Sequence, residues 1–222
     1  MQRKSLKPSV IILYIILFFA VWSAVELLLT PYLIKTIGNE SVPEILKESA
    51  IKLLLWTVPA FLLIRRYEAD VYLSLKEMFT SKVLRLKYLP IFAGVALFVL
   101  AGNFVTHGRI AFSETFRVSD LVSSVLFVGI TEEAVFRGWL LNATLRGGKK
   151  LLPVLINAGL FLAIHFPVWI RNGIFIECFT SFSFVLIFAL GALFGWVFIK
   201  SRNLLVPIAL HMFYNLLVDL FL

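Results

Sequence analysis

The stretch GITEEAVFRG, residues 129–138, decides how this chain folds, because it carries three charged side chains inside an apolar run. The run covers residues 121–141. Glu132, Glu133 and Arg137 therefore stand where a membrane helix normally carries no charge. Each such charge costs about 2.5 to 3.5 kcal/mol on insertion scales, so these residues face a bundle interior or a wet cavity. The stretch predicts a buried helix with a candidate functional site.

The spacing of the three charges gives them different roles. Glu133 and Arg137 are four residues apart and share a helical face, so they can form an ion pair. Glu132 lies about 100° away around the helix and has no partner within the stretch. We therefore expect a supporting Glu133–Arg137 pair and a Glu132 carboxylate that is free for chemistry. A buried polar clasp between helices is the alternative interpretation, and the stretch alone does not separate the two.

The composition indicates an all-α, polytopic transmembrane bundle. Of the 222 residues, 60% are hydrophobic and 15% are charged, and the charges concentrate between long apolar runs. A net charge of +8 is also typical of nucleic-acid binding. The basic residues, however, cluster at the ends of apolar runs, where topology and lipid headgroups explain them better. We expect the lipid bilayer as a partner and no nucleic acid.

The apolar runs predict seven spans, or eight if the region 166–198 contains a re-entrant piece. The seven spans cover about residues 9–33, 50–64, 88–105, 121–145, 151–169, 175–199 and 204–222. A turn at Gly147-Gly148 closes the fourth span. Residues 68–87 have the pattern of an interfacial amphipathic helix on the cytoplasmic side, with a solvated connecting helix as the alternative. Its apolar face holds Leu75, Met78, Phe79, Val83 and Leu86.

The distribution of Lys and Arg predicts the orientation. Most of the 21 Lys and Arg residues fall in segments on the same side as the N-terminus. The positive-inside bias therefore places the N-terminus in the cytoplasm and the C-terminus outside. We expect an integral protein of a bacterial or archaeal cytoplasmic membrane.

Two of the three histidines lie inside predicted spans. Phe161 and His165 are four residues apart and share a helical face, as do His211 and Asn215. Three helices can thus bring together one carboxylate, two imidazoles and one amide, from Glu132, His165, His211 and Asn215. His and Glu exchange protons near neutral pH, and an amide N–H stabilises an oxyanion. The set suits attack of water on a carbonyl, and two imidazoles with a carboxylate are also a common catalytic zinc set.

Three motifs resemble those of the CPBP family of intramembrane proteases, which includes the CAAX endoprotease and bacteriocin-processing or immunity (Abi-like) proteins. They are Glu132-Glu133-x-x-x-Arg137, Phe161-x-x-x-His165 and His211-x-x-x-Asn215. The resemblance covers about Leu121 to the C-terminus, which is nearly half of the chain. Each motif alone is weak, but all three in order within apolar helices are specific, and no motif position is missing.

The resemblance implies an intramembrane endopeptidase that acts on a membrane-anchored or lipidated peptide or protein. Glu132 with His165 would activate the attacking water, and His211 with Asn215 would stabilise the oxyanion. The supporting residues would be Glu133, Arg137 and Phe161. Residues 121–222 would form the catalytic core and residues 1–120 the N-terminal spans and interfacial helix, in one integrated bundle.

The use of a metal is left open by the motifs. Cys178, the only cysteine, lies outside them, so a structural zinc is not expected. No acidic residue is evident behind His165 or His211 to orient either ring as a zinc ligand, since Glu133 is expected to pair with Arg137. We therefore favour a metal-free site without a cofactor. A catalytic zinc held by His165 and His211 is the alternative.

Two other functions compete with proteolysis. A non-proteolytic membrane protein would bind a peptide partner and confer immunity or act as a scaffold. A proton-coupled transporter would use Glu132 and His165 as a relay, but the sequence shows no convincing internal repeat of the kind common in transporters. Loss of Glu132 separates the first two functions, because an immunity protein keeps its function if its fold persists.

Overall fold

The structure is a computed structural model, and it describes residues 5–82, 85–145, 150–181 and 183–222. All regular elements in these ranges are helical. The predicted all-α class is therefore confirmed. The helices are α1 (Pro8–Ile37), α2 (41–66), α3 (Leu75–Thr80), α4 (Leu86–His107), α5 (118–144), α6 (Leu151–Ala163), α7 (Phe166–Arg171), α8 (Phe175–Thr180), α9 (Ser183–Ser201) and α10 (Leu205–Phe221).

Within the described ranges, four helical segments are long and apolar enough to cross a membrane, judged by length and composition. They are Pro8–Ile37, Leu86–His107, Leu151–Arg171 and Ser183–Ser201. Apolar side chains such as Ile12 and Ile16 on α1 and Leu97 on α4 are more than half exposed on the outside of the bundle. Such a surface suits contact with lipid rather than water. The total of seven or eight spans stays a prediction, as does the division near residue 120.

The bundle has two distinct ends. We call the end with the start of α1 the near end and the other the far end. At the near end, the N–H of Leu6 donates to Asp70, and the N–H of Leu204 donates to the carbonyl of Met78. At the far end, the N–H of Ser113 donates to the carbonyl of Leu220. The long helices therefore run alternately between the same two ends.

Helix α5 lies at the centre of the bundle. Its residues 131–143 are all buried, so other helices pack around it on all sides. The helix changes its hydrogen-bonding pattern around the charged pair, because Gly129–Glu133 is α-helical and lies between π-helical segments at Leu121–Val128 and Ala134–Leu141. π-helical turns are often found at functional sites.

Glycines bring the helices around α5 into close contact. A Cβ on Gly191 of α9 would stand 3.1 Å from Cα of Ala158 on α6, so these two backbones nearly touch. This is the close contact expected from the Gly191-x-x-x-Gly195 spacing. A Cβ on Gly129 would stand 2.5 Å from Cγ of Met212, so α10 also approaches α5 closely at this point.

Three sequence-based boundaries were wrong. Helix α2 begins at residue 41, ahead of the predicted start of the second span near residue 50, because Lys47 is buried and its charge is matched by Glu26, Glu44 and Glu48. The predicted sixth span is divided into α8 and α9. Gly173, with a φ of 72°, turns the chain just before α8.

The predicted interfacial helix over residues 68–87 was wrong in its length, since the helix covers only Leu75–Thr80. Ser74 and Glu77 form a capping box that starts it there. The preceding segment is tied to α5, because the side-chain amide of Asn142 accepts from the N–H of Leu73 and donates to its carbonyl. Val83 on the predicted apolar face and the predicted turn at Gly147-Gly148 lie outside the described residues.

The contact between α6 and α9 gives a first prediction. Gly191→Ala should lower the thermal unfolding midpoint of the purified protein in detergent, because the new methyl group meets backbone atoms that cannot move independently. The matched control is Gly94→Ala on α4, where nothing lies within 4 Å of an added Cβ. There the gain in helix propensity, about 1 kcal/mol, is expected to maintain or raise the midpoint. Equal midpoints for the two variants would contradict the close packing.

Candidate active site

A polar cavity of 440 Å3 lies between α1, α2, α5 and α7. Two predicted catalytic residues, Glu132 of α5 and His165 just before α7, are part of its wall. His165 stands at the break between α6 and α7, where Pro167 lacks the N–H that would continue a regular helix. The break lets the chain present the imidazole at the end of one helix and the start of the next.

The carboxylate of Glu132 accepts a hydrogen bond from Nζ of Lys52 at 2.9 Å, and both side chains are buried. The expectation of a Glu132 without a partner was therefore wrong. The partner belongs to α2, 80 residues earlier in the chain. Such a pair depends on how two helices pack, and no spacing within the Glu132 motif could reveal it.

Lys52 is held in place from several sides. Its Nζ also contacts Oε2 of Glu48 at 2.5 Å. The same atom lies 4.6 Å from the ring centre of Trp56 and 5.1 Å from that of Trp22. Cation–π contacts of this kind add attraction where water is largely excluded. Lys52 therefore presents a fixed positive charge to Glu132.

The Glu132–Lys52 pair is one end of a larger network of buried and partly buried charges. Nζ of Lys47 lies 2.9 Å from Glu26 and 3.2 Å from Glu48. Arg171 lies 3.4 Å from Glu26 and 2.8 Å from Glu44. Neighbouring charges thus compensate one another along the whole cavity wall, which offsets the cost of burying them in a membrane protein.

The predicted Glu133–Arg137 pair is present deep in α5. Nη1 of Arg137 donates to Oε1 of Glu133 at 2.7 Å, and both side chains are completely buried. Nη2 of Arg137 donates to the carbonyl of Gly191 at 2.7 Å, and the guanidinium lies 4.6 Å from the ring centre of Phe161. Arg137 therefore links α5 to α6 and α9.

Glu133 has a second partner that the sequence interpretation did not expect. Its Oε1 lies 3.0 Å from Nδ1 of His211, so a carboxylate does stand behind this imidazole. The expectation that Glu133 pairs with Arg137 alone was wrong. The reason is the close approach of α10 to α5, which Gly129 allows by leaving room for Met212.

Both imidazoles are oriented through the same ring nitrogen. Nδ1 of His165 donates to the carbonyl of Phe161 at 3.0 Å, just as Nδ1 of His211 faces Glu133. In each neutral ring Nε2 is then the nitrogen left to accept a proton. The Phe161 ring contacts both imidazoles edge to face, with centroids 5.5 Å from His165 and 5.8 Å from His211.

The four predicted catalytic residues do not share one surface. Among the described residues, the cavity wall includes Glu132 and His165 but neither His211 nor Asn215. His211 lies behind the wall, joined to it through Phe161. Nδ2 of Asn215 donates to the carbonyl of Ser124 at 2.8 Å, and Ser124 itself is part of the wall.

The described residues do not supply a ready metal site. No group of three or more His, Cys, Asp or Glu side chains among them is arranged to hold a metal ion. Lys52 occupies the position beside Glu132 that a metal ion would have to share. The two imidazoles are oriented as zinc ligands often are, but a third protein ligand is missing from this arrangement. The side chains at this site therefore do not fit a metal centre as they are arranged.

Comparison with known proteins bears on the second half of the chain. Residues 114–217 match the protein family described as Type II CAAX prenyl endopeptidase Rce1-like. All three motifs lie within the matched region, whereas Lys52 and the charged residues of α1 and α2 lie before it. No curated protein and no solved structure matched the chain.

The Glu133–Arg137 pair gives a second prediction. Arg137→Met leaves a completely buried carboxylate without its cation, a change that typically costs about 3 to 5 kcal/mol. We expect a lower folded yield and a lower unfolding midpoint in detergent than for the exposed control Arg65→Met. The double variant Glu133→Met, Arg137→Met should recover part of the midpoint. A single variant as stable as the control would show that the pair does not support the fold.

Proposed function

We propose that this chain hydrolyses peptide bonds with water activated by Glu132 and His165. Through residues 114–217 it belongs to the Rce1-like family of type II CAAX prenyl endopeptidases. The family and the apolar helices make it an integral membrane protease whose substrate is membrane-associated. The observation that carries the proposal is the shared position of Glu132 and His165 on the wall of a polar cavity within an apolar bundle.

The pair supplies the two functions that hydrolysis of an amide needs. A carboxylate takes a proton from water while the water oxygen attacks the carbonyl carbon of the peptide bond. The C–N bond then breaks, and the proton is passed to the departing amine. Lys52 binds Oε1 of Glu132, so we assign Oε2 as the oxygen that accepts the proton. His165, with Nε2 free, assists the transfer.

Attack of water on the carbonyl carbon leaves a negative charge on the carbonyl oxygen. We assign stabilisation of this oxyanion to His211 and Asn215, as the family resemblance implies. Since Nδ1 of His211 faces Glu133, His211 can donate from Nε2 to the oxyanion only as an imidazolium. Asn215 uses one amide N–H for Ser124 and keeps the second for the oxyanion. The substrate carbonyl has to reach His211 past the Phe161 ring, which now contacts both imidazoles.

The alternative of a non-proteolytic immunity or scaffolding protein rests on the breadth of the resembled family, and the Rce1-like match does not favour it. An immunity protein needs a folded surface rather than a base in its cavity. It would therefore keep its function after loss of the Glu132 carboxylate, and a protease would not.

A third prediction tests the role of Glu132. Glu132→Gln keeps the shape of the side chain and an oxygen for Lys52, but it removes the base. We expect little loss of folded protein, because Lys52 keeps Glu48 and the amide oxygen as partners. We also expect loss of the peptide products that appear in membranes of the native host. The matched control is Glu114→Gln, an exposed glutamate at the start of the region that matches the family. Product levels near those of the wild type in the Glu132→Gln cells would end the assignment.

The metal-free mechanism gives a fourth prediction. Purified protein should contain less than stoichiometric zinc, and exhaustive chelation should leave its peptidase activity unchanged. The check is elemental analysis together with activity before and after chelation. Stoichiometric zinc whose removal stops turnover, and whose return restores it, would reassign His165 and His211 as metal ligands.

A further inference from the structure

The cavity that contains Glu132 and His165 is formed by the far-end portions of the helices around it. Its wall includes Glu44 near the start of α2, Ser123 near the start of α5 and Arg171 at the end of α7. Asn172, in the loop after α7, is also part of the wall and is exposed. His165 precedes Arg171 by six residues, so it lies about 9 Å in from the far end of its helix.

The route from the cavity to the near end is closed by close-packed side chains. Phe136, Trp139 and Leu141 follow Glu132 along α5 toward the near end, and each is completely buried. Beyond them, Asn142 holds the backbone of Leu73 through two hydrogen bonds. Dense packing of this kind leaves no room for a peptide. The cavity therefore communicates with the far end of the bundle.

Among the described residues, exposed Lys and Arg are divided between the two ends more unevenly than a count from the sequence alone suggests. Three basic residues of the far end are not free surface charges, because they pair with the buried glutamates of the cavity wall: Lys47, Lys52 and Arg171. The exposed basic side chains of the far end are Lys35, Arg109 and Arg117. Those of the near end are Lys7, Arg65, Arg66, Lys76, Lys82, Lys87, Lys150, Lys200 and Arg202.

A surplus of exposed Lys and Arg marks the cytoplasmic side of a membrane protein. From the position of the cavity and from this surplus, we infer that the active site opens to the extracytoplasmic side. The inference rests on the proposed peptidase function. It names the substrate class as membrane-anchored or lipidated chains whose cleaved bond lies at the outer surface of the membrane. A chain whose scissile bond lies on the cytoplasmic side would meet the closed near end of the bundle.

The depth of the site narrows the position of the cleaved bond. His165 is about 9 Å below the far end of its helix, so the peptide has to enter only a short distance to reach it. We therefore expect cleavage within a few residues of the point where the substrate leaves its membrane anchor.

The orientation is tested by cysteine labelling of the full chain. Cys178, the only native cysteine, is replaced by alanine, and a single cysteine is introduced as Asn172→Cys at the far end or Glu68→Cys at the near end. Both positions are exposed. In intact cells a membrane-impermeant maleimide should label only Asn172→Cys, and Glu68→Cys should react after lysis. The reverse result would overturn the inference.

The substrate class is tested separately in native host cells that make the wild-type protein or Glu132→Gln. New peptide termini that depend on the wild-type protein should map to extracytoplasmic segments close to a membrane anchor. Termini on cytoplasmic segments would overturn the inference and leave the peptidase function intact. Absence of wild-type-dependent termini would count against the peptidase function, and the labelling result would still decide the orientation.

Discussion

The arrangement of this bundle depends on the ion pair between Lys52 of α2 and Glu132 of α5. A carboxylate alone inside an apolar helix is costly, and a cation nearby removes most of that cost. Lys52 in turn is held by Glu48 and by two tryptophan rings. The pair therefore fixes α2 against α5 at the depth of the cavity, and it fixes the carboxylate that we assign as the base.

Helix α5 contributes to two separate groups of charged residues. Glu132 faces the cavity and continues a network of ion pairs toward the far end, through Lys52, Glu48 and Lys47. Glu133, about 100° further around the helix, binds Arg137 and His211 in the closed core. Adjacent residues point to different sides of a helix, so one stretch of sequence serves both a water-accessible wall and a packed interior. Within each group the charges pair with one another, which explains why the chain tolerates so many charges inside a membrane domain.

The sequence predicted what depends on local spacing. Glu133 and Arg137 lie four residues apart on one helix, and their pair is present as expected. Phe161 and His165 also meet through a single helical turn. The partner of Glu132 was missed because Lys52 is far away in the sequence and resembles an ordinary basic residue at the end of a span. The second partner of Glu133 was missed for a similar reason, since it depends on the approach of α10 that Gly129 permits.

The boundaries failed where tertiary contacts override an apolar or amphipathic pattern. Residues 41–47 lie outside the predicted second span, yet the segment is helical, because Lys47 and Glu44 pair with residues of α1 and α7. The amphipathic pattern of residues 68–87 is interrupted because Asn142 binds the backbone of Leu73. In both places the decisive partner comes from another helix, and no periodicity within the segment contains that information.

The coupling between Lys52 and Glu132 is the most direct measure of this account. It is obtained from the unfolding free energies of the wild type, Lys52→Met, Glu132→Gln and the double variant in the same detergent. We expect the two substitutions not to be additive, with a coupling free energy of at least about 1 kcal/mol. Additive effects, within about 0.5 kcal/mol, would contradict the pair and with it the fixed base in the cavity.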